Sequence, residues 1–472
     1  MNVLLINPPY RNLFKRISGA SWLTPPLGLA YLAAVLEQIG DKLRIEDLDM
    51  IDHPEGYAEH LQGVLQEFNP ELVGITSTTP NIYQAQRIAK LVKQFNREIK
   101  VVLGGPHPSA LPEEVLASEF VDFVVKGEGE LALTKLSQKL NTPGHDFSEI
   151  RGLYYKQDGK IIQNGPCEYV QDLNALPDPA RHLLDFTQYT HPLMKEKVAA
   201  TILTGRGCPY QCTFCNKKIF GTTVRLRSID SVIAEIIAIN QKYNIREFHI
   251  IDDIFNINVE RVVEFCHKII ALNKKFIFAL PNGIRAEVLF EDTAKLMKKA
   301  GFYSVSFGLE SANEKTLIKI RKRLDLKQVE QAFRIARRAG LETVAFIIVG
   351  FPNESEEDLN NTLRFLRKIK PDVVDFQTLI PLPGTEIYDE LKANNQIVET
   401  DWSKYTFHDQ PVFFSEHLSR ERIAVLYRKA YVRYHIHPLT IWLRLKKIRS
   451  VRDVMINLKG LKTIVIDTWL KK

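Results

Sequence analysis

Short apolar runs alternate with amphipathic stretches along most of this chain. VLLINPP (3–9) is apolar and ends in a proline break. PLGLAYLAAVLEQIG (26–40) carries helical periodicity, with proline near its start and glycine at its end, the usual asymmetry of helix termini. LRIEDLDM (43–50), ELVGITSTT (71–79), a helical stretch over 81–96, VVLGGPH (101–107) and VDFVVKGEGE (121–130) follow. Five short strands alternating with helices predict a doubly wound, Rossmann-like parallel sheet over 1–140, with ligands expected at the carboxyl ends of its strands. Residues 141–195 are rich in turn formers and read as a linker with one small hairpin in GLYYKQDGKIIQNG.

A second series fills 196–395. VAATILT, EFHIID, KFIFAL, YSVSFGL, TVAFIIVG and VDFQTLIPL are separated by helical stretches such as SVIAEIIAINQKY and LKQVEQAFRIARRAG. Six βα units predict a partial (β/α)6 barrel, short of the eight that close the common form. Residues 396–472 read as a helical, basic C-terminal region. An α/β chain of two parallel-sheet units is therefore expected.

Composition narrows the class without naming the chemistry. With 472 residues, 45% hydrophobic and 25% charged, this is a globular chain of two or three domains. Five cysteines exclude a disulfide scaffold, no apolar run is long enough to span a bilayer, and MNVLLINPPY lacks signal-peptide features. A soluble cytoplasmic protein is expected. The net charge of +7 is concentrated in one place: from Glu416 onward 14 Lys/Arg face 4 Asp/Glu, so this segment carries +10 and the rest −3. A nucleic-acid-binding face would spread its charge over a domain, so no nucleic-acid partner is expected.

The chemistry enters at GRGCPYQCTFCNKK, directly after a strand. Cys208, Cys212 and Cys215 lie within eight residues, with three and then two residues between them. Structural zinc takes four ligands, commonly as paired C-x-x-C motifs, and Cys167 and Cys266 lie far away in sequence. Three thiolates without a fourth suit a 4Fe–4S cluster with one open iron. The C-x-x-x-C-x-x-C motif after the first barrel strand resembles the radical S-adenosylmethionine (SAM) superfamily. Phe214 before the third cysteine, IDDIF (251–255), FGLES (307–311), IIVGFPNE (347–354) and PLPGT (381–385) occur in the order that family has. The resemblance implies that Phe214 packs on the adenine and that Gly350 belongs to a glycine motif of the SAM site. It also implies that Asp252 or Asp253 accepts from the SAM amine, that Glu310 and Asn282 reach the ribose, and that Arg285 or Arg323 pairs with the carboxylate.

A second resemblance covers 1–140. Ser77-Thr78-Thr79 precedes Gly104-Gly105-Pro106 by 27 residues, similar to the Ser-x-Leu and Gly-Gly pair of base-off cobalamin domains, with Thr79 replacing the leucine. The nucleotide tail of such a cofactor threads into the sheet, so glycines permit its approach and Ser77 offers a short hydroxyl. The loop with Gly127 and Glu128 would supply backbone donors. Flavodoxin-like and response-regulator domains share this fold, so the fold alone does not choose among them. The family's cobalt-ligating histidine belongs after the first strand, where none occurs. His53 follows the second strand and reads as a surface loop residue, so base-off cobalamin without a protein histidine ligand is expected. His107 is expected at the nucleotide or the sheet edge.

Together the two resemblances imply a cobalamin-dependent radical SAM enzyme with a 4Fe–4S cluster, SAM and cobalamin. Methylation of an unactivated carbon is the expected reaction. Ring formation or oxidation of a lipid or tetrapyrrole, and a SAM- or cobalamin-sensing module without turnover, are its rivals. An electron donor such as flavodoxin or ferredoxin is implied. The basic tail interleaves Lys and Arg with Leu, Ile, Tyr and Trp. It reads either as a helix packed on the barrel or as a peripheral membrane contact, which tilts the substrate towards a hydrophobic small molecule.

Overall fold

The computed structural model describes residues 1–10, 23–51, 56–144, 146–189, 194–407 and 410–445. In the first unit, strands β1 (Asn2–Asn7), β2 (Lys42–Asp47), β3 (Leu72–Thr76), β4 (Lys100–Gly104) and β5 (Phe123–Val125) are parallel in the order β2-β1-β3-β4-β5. Successive residues of each strand serve opposite faces. Leu4, Ile6, Val73, Ile75, Val101 and Leu103 pack under helices Tyr57–Phe68 and Ile82–Phe95. Val3, Leu5, Leu72 and Val102 pack under helices Leu27–Gln38 and Glu130–Leu140. That is the doubly wound sheet, with the change of winding direction between β1 and β3, where this topology opens its ligand crevice.

The hairpin after this unit is β6 (Leu153–Gln157) and β7 (Lys160–Gln163), turned by Asp158 and Gly159, both at positive φ as a two-residue hairpin turn requires. It pairs antiparallel onto β5, so the sheet has seven strands and runs on into the stretch expected to be a linker.

The second unit contains β8 (Ala199–Ile202), a small antiparallel pair β9 (Gly205–Arg206) and β10 (Arg225–Leu226), and then β11 (Glu247–Ile250), β12 (Ile277–Ile284), β13 (Phe302–Glu310), β14 (Glu342–Val349) and β15 (Val373–Thr378). The main sheet runs β8-β11-β12-β13-β14-β15, all parallel: six strands in sequence order, an open barrel. Phe248, Phe265, Phe278 and Phe302 form one interlocked aromatic core beneath it. After β15 the chain reaches back to the first unit, where Trp402 donates from Nε1 to Glu114 Oε1 at 2.7 Å. Helix Arg420–His435 then lies along the barrel edge, with Tyr431, Tyr434 and His435 around Phe376 of β15. Among the described residues no helix is long and apolar enough to cross a membrane.

Candidate functional site

The cysteine loop leaves β9 and returns on β10, at the carboxyl end of β8. Gly207 opens it at φ +86°, where a Cβ would stand 2.2 Å from the Thr223 carbonyl oxygen, so only glycine fits. Cys208 N donates to Gly221 O (3.4 Å), and Cys215 N to Cys212 O (3.2 Å), which folds the loop back on itself. Thr213 N donates to Ile320 O, and Cys212 Sγ lies 4.0 Å from Arg321 O, docking the loop on the segment after β13.

All five cysteines are free thiols. Desolvation by the groups packed around it pushes the Cys215 thiol up to about 11, helped by the neighbouring Cys212, Cys208 and Asp253, although the residue itself is exposed at the loop surface. Cys208 is raised too, first by burial and then by Asp253 and Cys212. The thiols of Cys208 and Cys215 thus feel Cys212 between them, and the charge of bound iron would offset repulsion among the three thiolates. This donor set fits a cluster. Among the described residues no His, Cys, Asp or Glu trio is grouped to hold a single metal ion. Thiolates on a cuboidal cluster instead each take a separate iron. Cys266 is buried in the core on helix Val259–Ala271, and Cys167 packs against Gly127 and Gly152.

Around the cysteines the strand ends bring most of the expected residues together. The Phe214 ring lies 5.7 Å from that of Phe351, directly after Gly350, and 5.8 Å from Lys322 Nζ. Gly350 (φ +97°) is packed against Ile423 of the C-terminal helix. Glu310 ends β13 at φ +64° and accepts from Lys322 Nζ at 2.8 Å. Burial opposes the charge on Lys322, yet Glu310 and Cys212 hold its ammonium above the usual range. Asn282, on the exposed side of β12, donates to Ile251 O at 2.6 Å.

The two aspartates part company. Asp252 is buried and accepts from Thr204 N (2.6 Å) and Thr204 Oγ1 (2.5 Å), tying the end of β11 to that of β8; burial pushes it up to about 6. Asp253 accepts from Gly207 N at 3.0 Å and borders Cys208 and Cys215. Of the pair, Asp253 alone faces the cysteine loop.

Arg285 departs from its expected role as a free carboxylate partner. It pairs with Glu287, donates to Lys322 O (3.1 Å) and Arg323 O (2.9 Å), and stands 4.0 Å over the Tyr210 ring inside the cysteine motif. Its guanidinium is occupied with holding two loops. Arg323 is exposed, with its backbone in the left-handed region.

On the first unit, Gly105 (φ +100°, ψ −172°) turns directly beneath Ser77: a Cβ there would meet Ser77 O at 2.8 Å and Ser77 N at 2.9 Å. Gly104 has open space, its nearest neighbour being Val125 O at 3.7 Å. Ser77 Oγ and the backbone of Thr78 turn onto the buried Asn81, and Thr79 Oγ1 meets His107 Nδ1 at 3.3 Å. Pro106 begins the short helix that carries His107. His107 is fully buried and edge-on to Trp402, its Nε2 makes no hydrogen bond though Glu114 Oε1 stands 3.9 Å away, and burial pushes the imidazole down to about 4. A neutral buried imidazole with an orphaned nitrogen, beside two glycines, fits a polar cofactor tail entering between β3 and β4. His53 lies outside the described residues.

Glu128, expected to offer its backbone, turns its side chain away from the crevice. Its carboxylate is buried against Arg225 of the barrel unit, so a side-chain contact to a cofactor is unavailable. Gly127 (φ +83°) holds its N–H to Ser109 Oγ at 2.9 Å. Sequence reasoning also missed Lys322, Tyr210 and Thr204. Lys322 sits in the basic run IRKR, which reads as solvated surface.

Two family models match: the radical SAM superfamily over residues 202–366 and the B12-binding domain over 21–137. An uncharacterized methyltransferase of Pyrococcus horikoshii is 34% identical over 445 residues, 93% of either chain. The anaerobic magnesium-protoporphyrin IX monomethyl ester cyclase of Cereibacter sphaeroides is 29% identical over 86% of this chain and 66% of its own. Among solved structures, the radical SAM methyltransferase TsrM of Kitasatospora setae, with cobalamin and a 4Fe–4S cluster bound, superposes with a TM-score of 0.74. It is 19% identical, over 98% of this chain and 99% of that one.

Proposed function

This chain belongs to the cobalamin-binding radical SAM enzymes, and we propose that it transfers a methyl group to an unactivated carbon of a small hydrophobic molecule. The enzyme uses a 4Fe–4S cluster, SAM and cobalamin. When bound, these supply a carbon-centred radical and a carried methyl group, and the protein supplies placement. In our reading Cys208, Cys212 and Cys215 hold the cluster. Asp253 accepts from the amine of SAM, Glu310 and Asn282 address the ribose, and the Phe214 face receives the adenine. Lys322, turned towards Glu310 and Cys212, takes the carboxylate role with Arg323. On the other side, Ser77, Thr78, Thr79, Gly104, Gly105, Pro106 and Gly127 line the entry of a base-off cobalamin, His107 meets its nucleotide, and no histidine binds cobalt.

The observation that carries this reading is the pairing of a cysteine trio at one parallel sheet with a glycine-lipped crevice at another, in a chain 34% identical to an uncharacterized methyltransferase over nearly its full length. Ring formation is the second reading, favoured by the 29% identical cyclase. Counting products separates them. Methylation yields S-adenosylhomocysteine and 5′-deoxyadenosine together; ring chemistry yields 5′-deoxyadenosine alone; a binding module yields neither. Our proposal extends to a one-electron donor of the flavodoxin or ferredoxin type. It also places the protein in the cytoplasm, touching the membrane through its basic end, where Ile436, Ile441, Trp442 and Leu445 are exposed beside the cationic segment.

A further inference from the structure

Four charged side chains are buried where the two units meet. Glu128 accepts from Arg225 through both guanidinium nitrogens, at 2.9 Å and 2.5 Å, in a bidentate fork. Glu130 accepts from Arg206 Nη2 at 2.6 Å, and Arg206 Nη1 stands 3.4 Å from Glu128. None of the four side chains is more than 6% exposed. Arg206 and Arg225 are direct cross-strand partners on β9 and β10, so two cations side by side face two anions.

The quartet is fixed at both ends. Arg225 also donates to Val170 O (2.7 Å) and Phe220 O (3.0 Å), and its guanidinium lies 5.0 Å from the Tyr169 ring. Arg206 lies between the rings of Tyr31 and Phe220, at 5.2 Å and 5.1 Å. On the first unit, Gly127 N donates to Ser109 Oγ, and Cys167 packs so closely on Gly127 that no side chain fits there. On the barrel, Arg206 is two residues before Cys208, and the intervening Gly207 is held by Asp253. Rigid steps therefore link Gly127 to Cys208 without a break.

Apolar packing would hold two units together without the desolvation that buried charges incur. What a fork of fixed geometry adds is direction and register. We propose that Glu128, Glu130, Arg206 and Arg225 are positioning residues that set the separation between cobalamin on the first unit and the cluster on the second. The proposal rests on the cobalamin reading of the first unit.

The test uses full-length protein loaded with both cofactors and reduced so that cob(II)alamin and the cluster are both paramagnetic. Pulsed electron paramagnetic resonance then reads their dipolar coupling, which falls steeply with distance. Wild type should give one narrow coupling. Glu128→Gln and Arg225→Lys should keep full iron and cobalamin but give a shifted or broadened one. The double variant Glu128→Gln/Arg225→Gln, which leaves no charge unpaired between the two, guards against loss of fold in the singles and should show the same change. Unchanged coupling in any variant holding both cofactors overturns the proposal. So does failure of every variant to retain either cofactor, which would make the quartet a folding element. Wild type that binds iron but no cobalamin would instead sink the cobalamin reading itself.

Discussion

Gly105→Ala offers a sharp test of the crevice. At φ +100° and ψ −172° Gly105 occupies a region essentially restricted to glycine, so any side chain there costs about 1–3 kcal/mol in backbone strain alone. The added Cβ would also stand 2.8 Å from Ser77 O and 2.9 Å from Ser77 N, both backbone atoms that cannot swing aside. Ser77 N donates to Gly104 O (2.9 Å), and Ser77 O accepts from His107 N (3.2 Å). Moving Ser77 weakens both, at about 1 kcal/mol each. The expected total is about 4 kcal/mol. Gly104→Ala should cost under about 1 kcal/mol, since its Cβ has only an ordinary 3.7 Å neighbour. Urea unfolding followed by circular dichroism measures the stability, and visible absorbance measures cobalamin uptake. Gly105→Ala should unfold early and bind cobalamin poorly. Gly104→Val should stay folded and keep its iron yet lose cobalamin, because the larger side chain blocks the entry. A Gly105→Ala protein with the wild-type midpoint, or Gly104→Ala as the worse of the two, would refute the reasoning.

Anaerobic reconstitution should give about four irons per chain; replacing Cys208, Cys212 and Cys215 by Ala should abolish both the iron and SAM cleavage, while Cys167→Ala and Cys266→Ala keep them. Loss of iron from Cys266→Ala would displace our ligand set. Glu354, buried against Ser311 Oγ at 2.6 Å, is pushed up to about 7 by burial. A raised folded-state pKa means the native protein holds a proton the unfolded chain has released. Stability should therefore fall as pH rises from about 4.5 to 7, by at most about 3 kcal/mol from this group. Glu354→Gln should flatten that slope, and equal slopes for variant and wild type in urea titrations at pH 5 and 8 would count against it. Vesicles of anionic lipid should retain the full-length chain at low salt and release it at high salt, each basic residue near the surface adding about 1 kcal/mol. A chain ending at Leu445, which loses eight of the 14 basic residues of the tail, should bind them markedly more weakly, and full-length protein that ignores such vesicles at low salt would end the membrane reading.

Local patterns made the strands and the cluster legible. The central strands of both main sheets coincide with apolar runs, because a strand buried on both faces has to be largely apolar, whereas the edge strands β2 and β15 mix apolar with polar residues. The cysteine motif was legible because its ligands lie within eight residues. What stayed hidden depends on distance or on facing. Glu128 and Arg225 are 97 residues apart, and nothing local to KGEGE says that its carboxylate turns to the barrel. Asp252 and Asp253 are adjacent, and only the path of the loop after β11 decides which turns inward to Thr204 and which faces the thiols. The hairpin at 153–163 was legible from its Asp-Gly turn, but its pairing with β5 is a tertiary choice.

The open edge of the barrel also has a temporal consequence. β15 pairs with β14 on one side, and on its other flank the wall is helix Arg420–His435, whose Tyr434 meets Phe376 and whose Ile423 seats against Gly350. That helix leaves the ribosome well after the last strand. The seven-stranded sheet, complete by Gln163, can close early in synthesis, but the barrel keeps a bare flank until Tyr434 has emerged. The first sheet is thus complete before the barrel has its wall, whereas Trp402, which packs on His107 of the glycine-lipped crevice, is made only after β15.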